Sequence, residues 1–485
     1  MLDASYFCRL SVRHRILPFF LWLPLALSAC AVGPDYHAPK FATPKQFANA
    51  TVTGMTTDSP EIRWWEKFGD KLLNELINEG LRSNPDLRIA IANLREARAN
   101  RLLSKFDLFP TVNAIASDKT QIRSQGQFGN SFNRGSDFNL VNVGFDATWE
   151  LDFFGRIRRT IEAQTSETES FDAERRDVIV SLVAELARNY FELRGTQHQL
   201  FVARKNADNQ AATLKYTRAR LNGGQGTALD TARAEEQLNS TLAIIPPLES
   251  SIRRSIHRLS VLVGKKPEQL YTKLEPPALL PEAPAIIAIG DPAKLLQRRP
   301  DVRVAERTLA ASTARIGVVT ADLFPRVTFV GTVALEARNI SGLGAMGSDT
   351  YSFGPSIRWA AFDLGRVYTR IKAADAHAEA RLAFYEKTVL HALEETENAM
   401  VDFARLQQRR DFFRSAVAAG EKAAHLARLR YQDGVSDFLV VLDSERRLLE
   451  TQNTLAQTET DTATALVAVY KALGGGWEWE KGHEK

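Results

Sequence analysis

Alternating apolar and polar positions predict four short β-strands in this chain. Between residues 138 and 150, apolar side chains occupy every second position from Val141 to Trp149, with polar or small residues between them. A period of two predicts a strand with one apolar face and one polar face. The same period predicts strands at 326–338 and 351–362, and a weaker one at 111–123.

Strands of about ten residues with aromatic ends suit a transmembrane β-barrel, but a soluble β-sandwich shows the same alternation. Four strands cannot close a membrane barrel, and lipid does not tolerate an open sheet edge. If these strands cross a membrane, several copies of the chain must complete one barrel. The polar loops at 124–137 and 339–350 are typical of the outer side of a barrel.

A helical segment far longer than a globular helix follows each strand pair. The 66 residues of 157–222 contain no proline and would extend about 99 Å as an α-helix. Apolar residues recur three and four positions apart there and in 366–431, which is typical of a narrow coiled-coil seam. Each long helix turns at a glycine and leads to a second helix, at 228–263 and 437–473. The polar remainder favours a hollow helical cylinder over a solid bundle.

Short motifs recur along the chain in the same order. The matches at an offset of 215 are Asn84-Pro85-Asp86 with Arg299-Pro300-Asp301, and Leu108-Phe109-Pro110 with Leu323-Phe324-Pro325. The matches at an offset of 210 include Trp149 with Trp359, Arg220 with Arg430, Gly224 with Gly434, Leu229 with Leu439, and Glu235 with Glu445. A colinear series of this length indicates a tandem duplication.

The duplication divides the chain into two repeats, at 84–264 and 299–474. Each is predicted to contain a helix, two strands, a long helix, a turn and a returning helix. Six prolines between residues 267 and 292 predict a linker at 265–298, and residues 475–485 form a tail.

The N-terminus has the features of a secretion signal. A basic stretch precedes about a dozen apolar residues, which are too few to span a membrane as a helix. The run ends in Leu27-Ser28-Ala29-Cys30, the pattern of a bacterial lipobox, which predicts a signal peptide at 1–29 and a covalent lipid on Cys30. The alternative is an ordinary signal with a chance cysteine. Ala31, where lipoproteins kept in the inner membrane often carry Asp, points to the outer membrane.

Composition and motifs exclude several function classes. The net charge is only +4 over 485 residues, which is too balanced for a nucleic-acid footprint. The other cysteine of the chain, Cys8, leaves with the signal, so a disulfide or a cysteine metal site is not expected. The glycine-rich run at 342–347 lies between two strands and opens no helix, so it lacks the context of a dinucleotide site. We expect no enzyme activity, no metal and no cofactor beyond the lipid on Cys30.

Together these features resemble the TolC-like outer membrane factors, and within them the OprM/NodT-type lipoproteins. The motifs that carry the resemblance are Cys30-Ala31-Val32-Gly33-Pro34-Asp35-Tyr36, Trp64-Trp65, Asn84-Pro85-Asp86-Leu87 and the Tyr431-x-x-Gly434-Val435 turn leading to Leu442-Asp443. The resemblance implies an α+β membrane protein, in which a homotrimer forms a 12-stranded transmembrane β-barrel with four strands per chain. The barrel would continue into a periplasmic α-helical barrel of twelve helices. Residues 30–83 would form the anchor and, with the linker, part of an equatorial belt.

The resemblance also carries two sites to the tips of the long hairpins. A periplasmic aperture would be closed by Leu439, Asp443 and Arg446, with Tyr431 nearby. Leu439 as ordinary hairpin packing, and Asp443 and Arg446 as a solvated helix face, remain open alternatives. Contacts with a periplasmic adaptor would involve the turn residues, namely Gly224, Thr227, Gly434, Val435 and Ser436.

The function implied is a passive exit duct in the bacterial outer membrane, lipid-anchored and extending into the periplasm. An adaptor would open it, and an inner-membrane transporter reached through the adaptor would supply the energy. The alternative is a lipid-anchored periplasmic adaptor or scaffold, which also contains coiled-coil hairpins. Adaptors have one such hairpin. This chain has two hairpins, and it also has four amphipathic strands.

Overall fold

The structure is a computed structural model that describes residues 31–42, 44–49, 55–121, 138–282, 284 and 287–478. The predicted signal peptide, Cys30, the whole loop at 124–137 and most of the tail lie outside the described residues. The chain forms two compact units. Of the described residues, the strand unit contains those up to 38 and those within 96–169 and 307–383, and the helix unit contains those within 39–95, 170–306 and 384–478.

The first half of the chain contains β1 (Met55–Thr56), a 3-10 turn (Trp64–Phe68) and α1 (Lys71–Ser83), and then the elements of repeat 1. These are α2 (Pro85–Phe106), β2 (Thr111–Gln121), β3 (Phe138–Leu151), α3 (Arg156–Asn222) and α4 (Ala228–Leu262). Helix α4 continues through Pro246 and Pro247, which the sequence analysis did not anticipate. Both prolines are exposed, so the carbonyl groups that lose their helical donors can bind water.

The second half repeats this order after the linker. The linker contains a 3-10 turn (Pro267–Leu270), α5 (Tyr271–Leu274), β4 (Ile287–Ala288) and α6 (Pro292–Arg298). Repeat 2 contains α7 (Pro300–Thr320), β5 (Arg326–Ala337), β6 (Asp349–Arg358), α8 (Leu364–Gln432) and α9 (Phe438–Ala472). Strand β6 ends four residues before the predicted 362, because the chain turns there, with the Asp363 amide donating to the Ala360 carbonyl (2.9 Å). None of the helices in the described part of the chain is both long and apolar enough to cross a membrane.

The four long strands form one antiparallel sheet in the order β2-β3-β5-β6. Phe145 of β3 lies opposite Val333 of β5, which lies opposite Tyr351 of β6, so the apolar positions share one face. The other face is polar, and there the Asn142 amide donates to Glu336 (2.8 Å). Among the described residues, β2 and β6 pair on one side only, so the sheet is open at both edges.

Both repeats join their strands to the preceding helix in the same way. In repeat 1 the indole Nε1 of Trp149 donates to the Leu108 carbonyl (2.9 Å), and in repeat 2 that of Trp359 donates to the Leu323 carbonyl (3.0 Å). These are the residues that the sequence comparison paired. The duplication therefore extends to individual hydrogen bonds.

The largest core lies in the helix unit, where α1 and the Trp64–Phe68 turn pack on α3 and α9. Trp64 and Trp65 are fully buried. The Trp64 ring stacks on Tyr470 of α9 at 4.9 Å, and Phe68 contacts Phe191 of α3 at 4.8 Å. The tryptophan pair that supported the family resemblance thus fixes the N-terminal segment to the helices.

Candidate functional site at the hairpin tips

The turns at the ends of α3 and α8 have the same backbone structure. Gly224 and Gly434 have φ angles of 71° and 73°, in the left-handed region that favours glycine. The amides of the next residues, Gln225 and Val435, donate five positions back to Arg220 and Arg430 at 2.9 Å. This Schellman arrangement caps the last carbonyl groups of each long helix.

The predicted adaptor-contact residues lie on these turns. Gly224, Thr227, Gly434 and Val435 are exposed and Ser436 is half-buried. Val435 exposes 67% of its surface, which is a large fraction for an apolar side chain.

Thr227 also has a local structural role as the N-cap of α4. Its Oγ1 accepts from the Asp230 amide (3.0 Å) and donates to the Asp230 carboxylate (2.7 Å). At the equivalent position of α9, Asp437 makes no such side-chain bond to the helix.

Tyr431 is buried between the two hairpins. Its ring contacts Tyr216 of α3 and Phe438 of α9, at centroid distances of 6.0 and 5.3 Å. The Arg220 guanidinium lies 4.9 Å over the same ring and donates to the Tyr431 carbonyl (3.2 Å). Burial raises the pKa of the Tyr431 hydroxyl, so it remains neutral. Tyr431 thus joins the hairpins and does not line an exposed surface.

Leu439, Asp443 and Arg446 follow one face of α9, because their spacing of four and three residues matches the helical period. Leu439 is 54% exposed. The Asp443 carboxylate accepts from Arg446 (3.1 Å) and pairs with Arg447 (2.9 Å). The hydrogen bond from Arg446 holds the pKa of Asp443 below its usual range. The structure therefore brings the apolar and the charged candidates together, and leaves Tyr431 apart from them.

A second polar bridge near the tips was missed by the sequence analysis. Glu445 of α9 is buried and accepts from Arg428 of α8 (2.7 Å) and from the Thr213 hydroxyl of α3 (3.3 Å). It joins the first hairpin to both helices of the second. Glu445 and Arg220 were visible in the sequence as repeat matches, but the repeat pattern alone does not show that their side chains cross between hairpins.

In the described part of the chain, no group of three His, Cys, Asp or Glu side chains is arranged to hold a metal ion. The polar groups at the tips are ion pairs, caps and bridges between helices. Such an arrangement can hold two hairpins together and release them at a modest cost in free energy.

Known proteins resemble this chain over nearly its whole length. Nodulation protein T of Rhizobium leguminosarum bv. viciae is 30% identical over 458 residues, covering 94% of this chain and 92% of that protein. The pyoverdine export outer membrane protein OpmQ of Pseudomonas aeruginosa is 28% identical over 463 residues, covering 94% and 96%. The solved structure of the outer-membrane channel OprN matches with a TM-score of 0.88 and 41% identity, over 93% of this chain and 100% of that one.

The family model of outer membrane efflux proteins matches this chain twice, at residues 76–265 and 292–475. Each match covers one of the two repeats, and together they span most of the chain. The predicted resemblance is confirmed: this chain belongs to the outer membrane efflux protein family, the TolC-like outer membrane factors, which are passive channels and not enzymes.

Proposed function

We propose that this protein is the outer-membrane exit duct of a tripartite efflux or secretion system, working as a homotrimer. The observation that carries this proposal is the open four-stranded sheet with one continuous apolar face. A spanning sheet must have no free edge in lipid, and three copies provide the twelve strands of a closed barrel. The apolar face would contact lipid, and the polar face would line the lumen.

The packing of the long helices supports a tunnel built in the same way. Within the helix unit, hydrogen-bonded pairs join the helices in the order α4-α3-α9-α8. These pairs are Arg204 with Glu249, Asn206 with Gln452, and Arg414 with Glu459. At the level of these pairs, helices α4 and α8 are therefore the outer members of each set of four. Three such sets side by side would form a ring of twelve helices across the periplasm.

The hairpin tips would form the periplasmic aperture of this tunnel. Three copies of Leu439 around one axis would give a dry constriction, and Arg446 of one chain could exchange its partner Asp443 for that of the next. The contacts of Arg220 with Tyr431, and of Glu445 with Arg428 and Thr213, hold the second hairpin against the first. Opening would require these bridges to break.

Energy and cargo selection would come from outside the duct. The exposed turns around Gly224 and Gly434 would receive the hairpin tips of a periplasmic adaptor, which connects to an inner-membrane transporter. A lipid on Cys30 would anchor the chain in the outer membrane. The relative OpmQ is named as a pyoverdine export protein, and we propose that this chain exports a comparable small solute, selected by the transporter.

The test is the conductance of the purified, detergent-extracted protein in a planar bilayer, with the oligomeric mass measured on the same sample. Small discrete openings from a trimer are expected of a duct that is closed at rest. A monomer without openings would overturn the proposal and favour the lipid-anchored periplasmic scaffold.

A further inference from the structure

The residues that follow Cys30 lie along a cradle on the strand unit, with Val32 and Tyr36 half-buried and the other residues of 31–36 exposed. The Val32 amide donates to the Phe154 carbonyl (3.2 Å), directly before α3 begins. Tyr36 lies under the Arg307 guanidinium, which is 5.6 Å from its ring centroid. Ala31–Tyr36 is therefore a bound segment, and we call it the docking segment.

Arg159, on the first turn of α3, makes three hydrogen bonds to the docking segment. Its side chain is only 5% exposed. It donates to the carbonyl groups of Val32 (3.1 Å) and Gly33 (3.3 Å) and to the Asp35 carboxylate (2.7 Å). It also forms an ion pair with Glu162 on the same helix (2.8 Å). A buried guanidinium is costly unless its donors are satisfied, so the three bonds to the segment stabilise this side chain in place.

Three glycines make the close approach possible. A Cβ at Gly155 would stand 2.6 Å from the Ala31 Cα, and one at Gly317 would stand 2.8 Å from the Arg159 Cγ. Gly33 has a φ of 92°, and a Cβ there would overlap the backbone of Gly317. Each glycine therefore removes a clash between the docking segment, α7 and the joint that precedes α3.

We propose that this cradle, with Arg159 as its positioning residue, fixes the acylated N-terminus to the joint between β3 and α3. The predicted lipid site, Cys30, precedes the bound Ala31 by one residue in the sequence. The lipid is then held at a fixed position at the periplasmic rim of the barrel, and is not attached through a flexible linker. The motif after the cysteine acts as a docking peptide in addition to any role in acylation.

This inference rests on the proposed function only for the lipid and the barrel, and the docking itself can be tested separately. Hydrogen–deuterium exchange of the Val32 amide is measured in the detergent-extracted protein. Slow exchange is expected in the unaltered protein. Arg159→Ala is expected to raise the rate about tenfold or more, because the segment opens locally. The matched control is Arg315→Ala in the same unit, whose exposed bond to Glu167 (2.7 Å) lies outside the cradle.

Asp35→Ala replaces Arg159→Ala in this test if the latter fails to fold. The Asp35 side chain is 78% exposed, and its bond to Arg159 is one of the three that this guanidinium makes to the segment. A smaller acceleration than for Arg159→Ala is expected. Fast exchange in the unaltered protein, or equal protection in all variants, would overturn the docking inference. Mass spectrometry of the N-terminal peptide checks the lipid independently. If Cys30 is unmodified but the Val32 amide exchanges slowly, the segment docks but carries no lipid anchor. If the Val32 amide exchanges fast in a trimer that conducts, the docking inference is wrong and the proposed function stands.

Discussion

Arg299 Nη1 donates to the carbonyl of Ala472, the last residue of α9, at 2.7 Å. In repeat 1, Asn84 Nδ2 donates to the carbonyl of Leu262, the last residue of α4, at 2.9 Å. In each repeat, the residue that precedes the first helix thus binds the end of the last helix and closes the repeat. The contact is kept although one residue is a neutral amide and the other a guanidinium. Arg299 also binds Asp301 and Glu395, both at 2.7 Å.

Removing Arg299 is expected to destabilise repeat 2 strongly. Arg299→Ala leaves the buried Ala472 carbonyl with only the longer bond from the Thr396 hydroxyl (3.4 Å), and it removes the guanidinium partner of Asp301 and Glu395, which costs about 3 kcal/mol. The measurement is denaturant unfolding of the purified protein. The control is Arg254→Ala, which removes an exposed side chain that donates to the Ser250 hydroxyl of the same helix (3.0 Å). Equal stability of the two variants would contradict the closing role.

Asp177, near Arg299, is expected to make stability depend on pH. Burial, and then the charge of Asp301, raise the pKa of Asp177 to about 6. The folded protein then binds a proton more tightly than the unfolded chain, so stability falls as pH rises from about 4 to about 6. Asp177→Asn is expected to flatten this slope and to add about 2 kcal/mol at pH 7. Unfolding curves at several pH values check this, and an unchanged slope would exclude Asp177 as its source.

The two faces of the sheet are expected to respond differently to a charge. Val333 lies on the apolar face and Thr332 on the polar face of β5. A lysine on the lipid face of a membrane barrel costs about 2–4 kcal/mol, whereas lumen positions are tolerant. Val333→Lys is expected to prevent assembly in outer-membrane fractions, and Thr332→Lys to assemble. Normal assembly of both variants would argue against a lipid-facing apolar surface.

The bridge between the hairpins is expected to hold the aperture closed. Arg220→Ala removes the contact with the Tyr431 ring and the bond to its carbonyl, about 1–2 kcal/mol together. The open fraction in planar bilayers should increase about tenfold. Arg218→Ala, two residues away, removes only an exposed pair with Glu235 (3.2 Å) and should leave the conductance unchanged. A similar effect of both substitutions would show a general loosening of the helix.

The exposed charges of α9 give a separate test of the aperture. Asp443→Ala combined with Arg446→Ala should raise single-channel conductance, and Arg254→Ala again serves as the control. Because Arg446 holds the pKa of Asp443 below its usual range, the pair stays charged above pH 5. The difference from the unaltered protein should therefore be the same at pH 5.5 and pH 7.5. Unchanged conductance would remove both residues from the gate.

Local periodicity was enough to locate the main elements. The alternation from Val141 to Trp149 and the seams of the long helices depend on spacing along the chain, and the observed strands and helices lie within a few residues of the predicted ones. The largest difference is the early end of β6. The turn at Gly434 was also readable, because its positive φ has a strong residue preference.

Only the tertiary structure decided which distant residues meet. The pairing of β3 with β5 joins residues nearly two hundred positions apart, and no local pattern encodes a partner at that distance. Three other features also depend on residues that are distant in the sequence. They are the burial of Tyr431, the contacts of Glu445 between the hairpins, and the hydrogen bonds of Arg159 to the docking segment. A side chain's period shows which face it occupies, but what covers that face depends on how the whole chain packs.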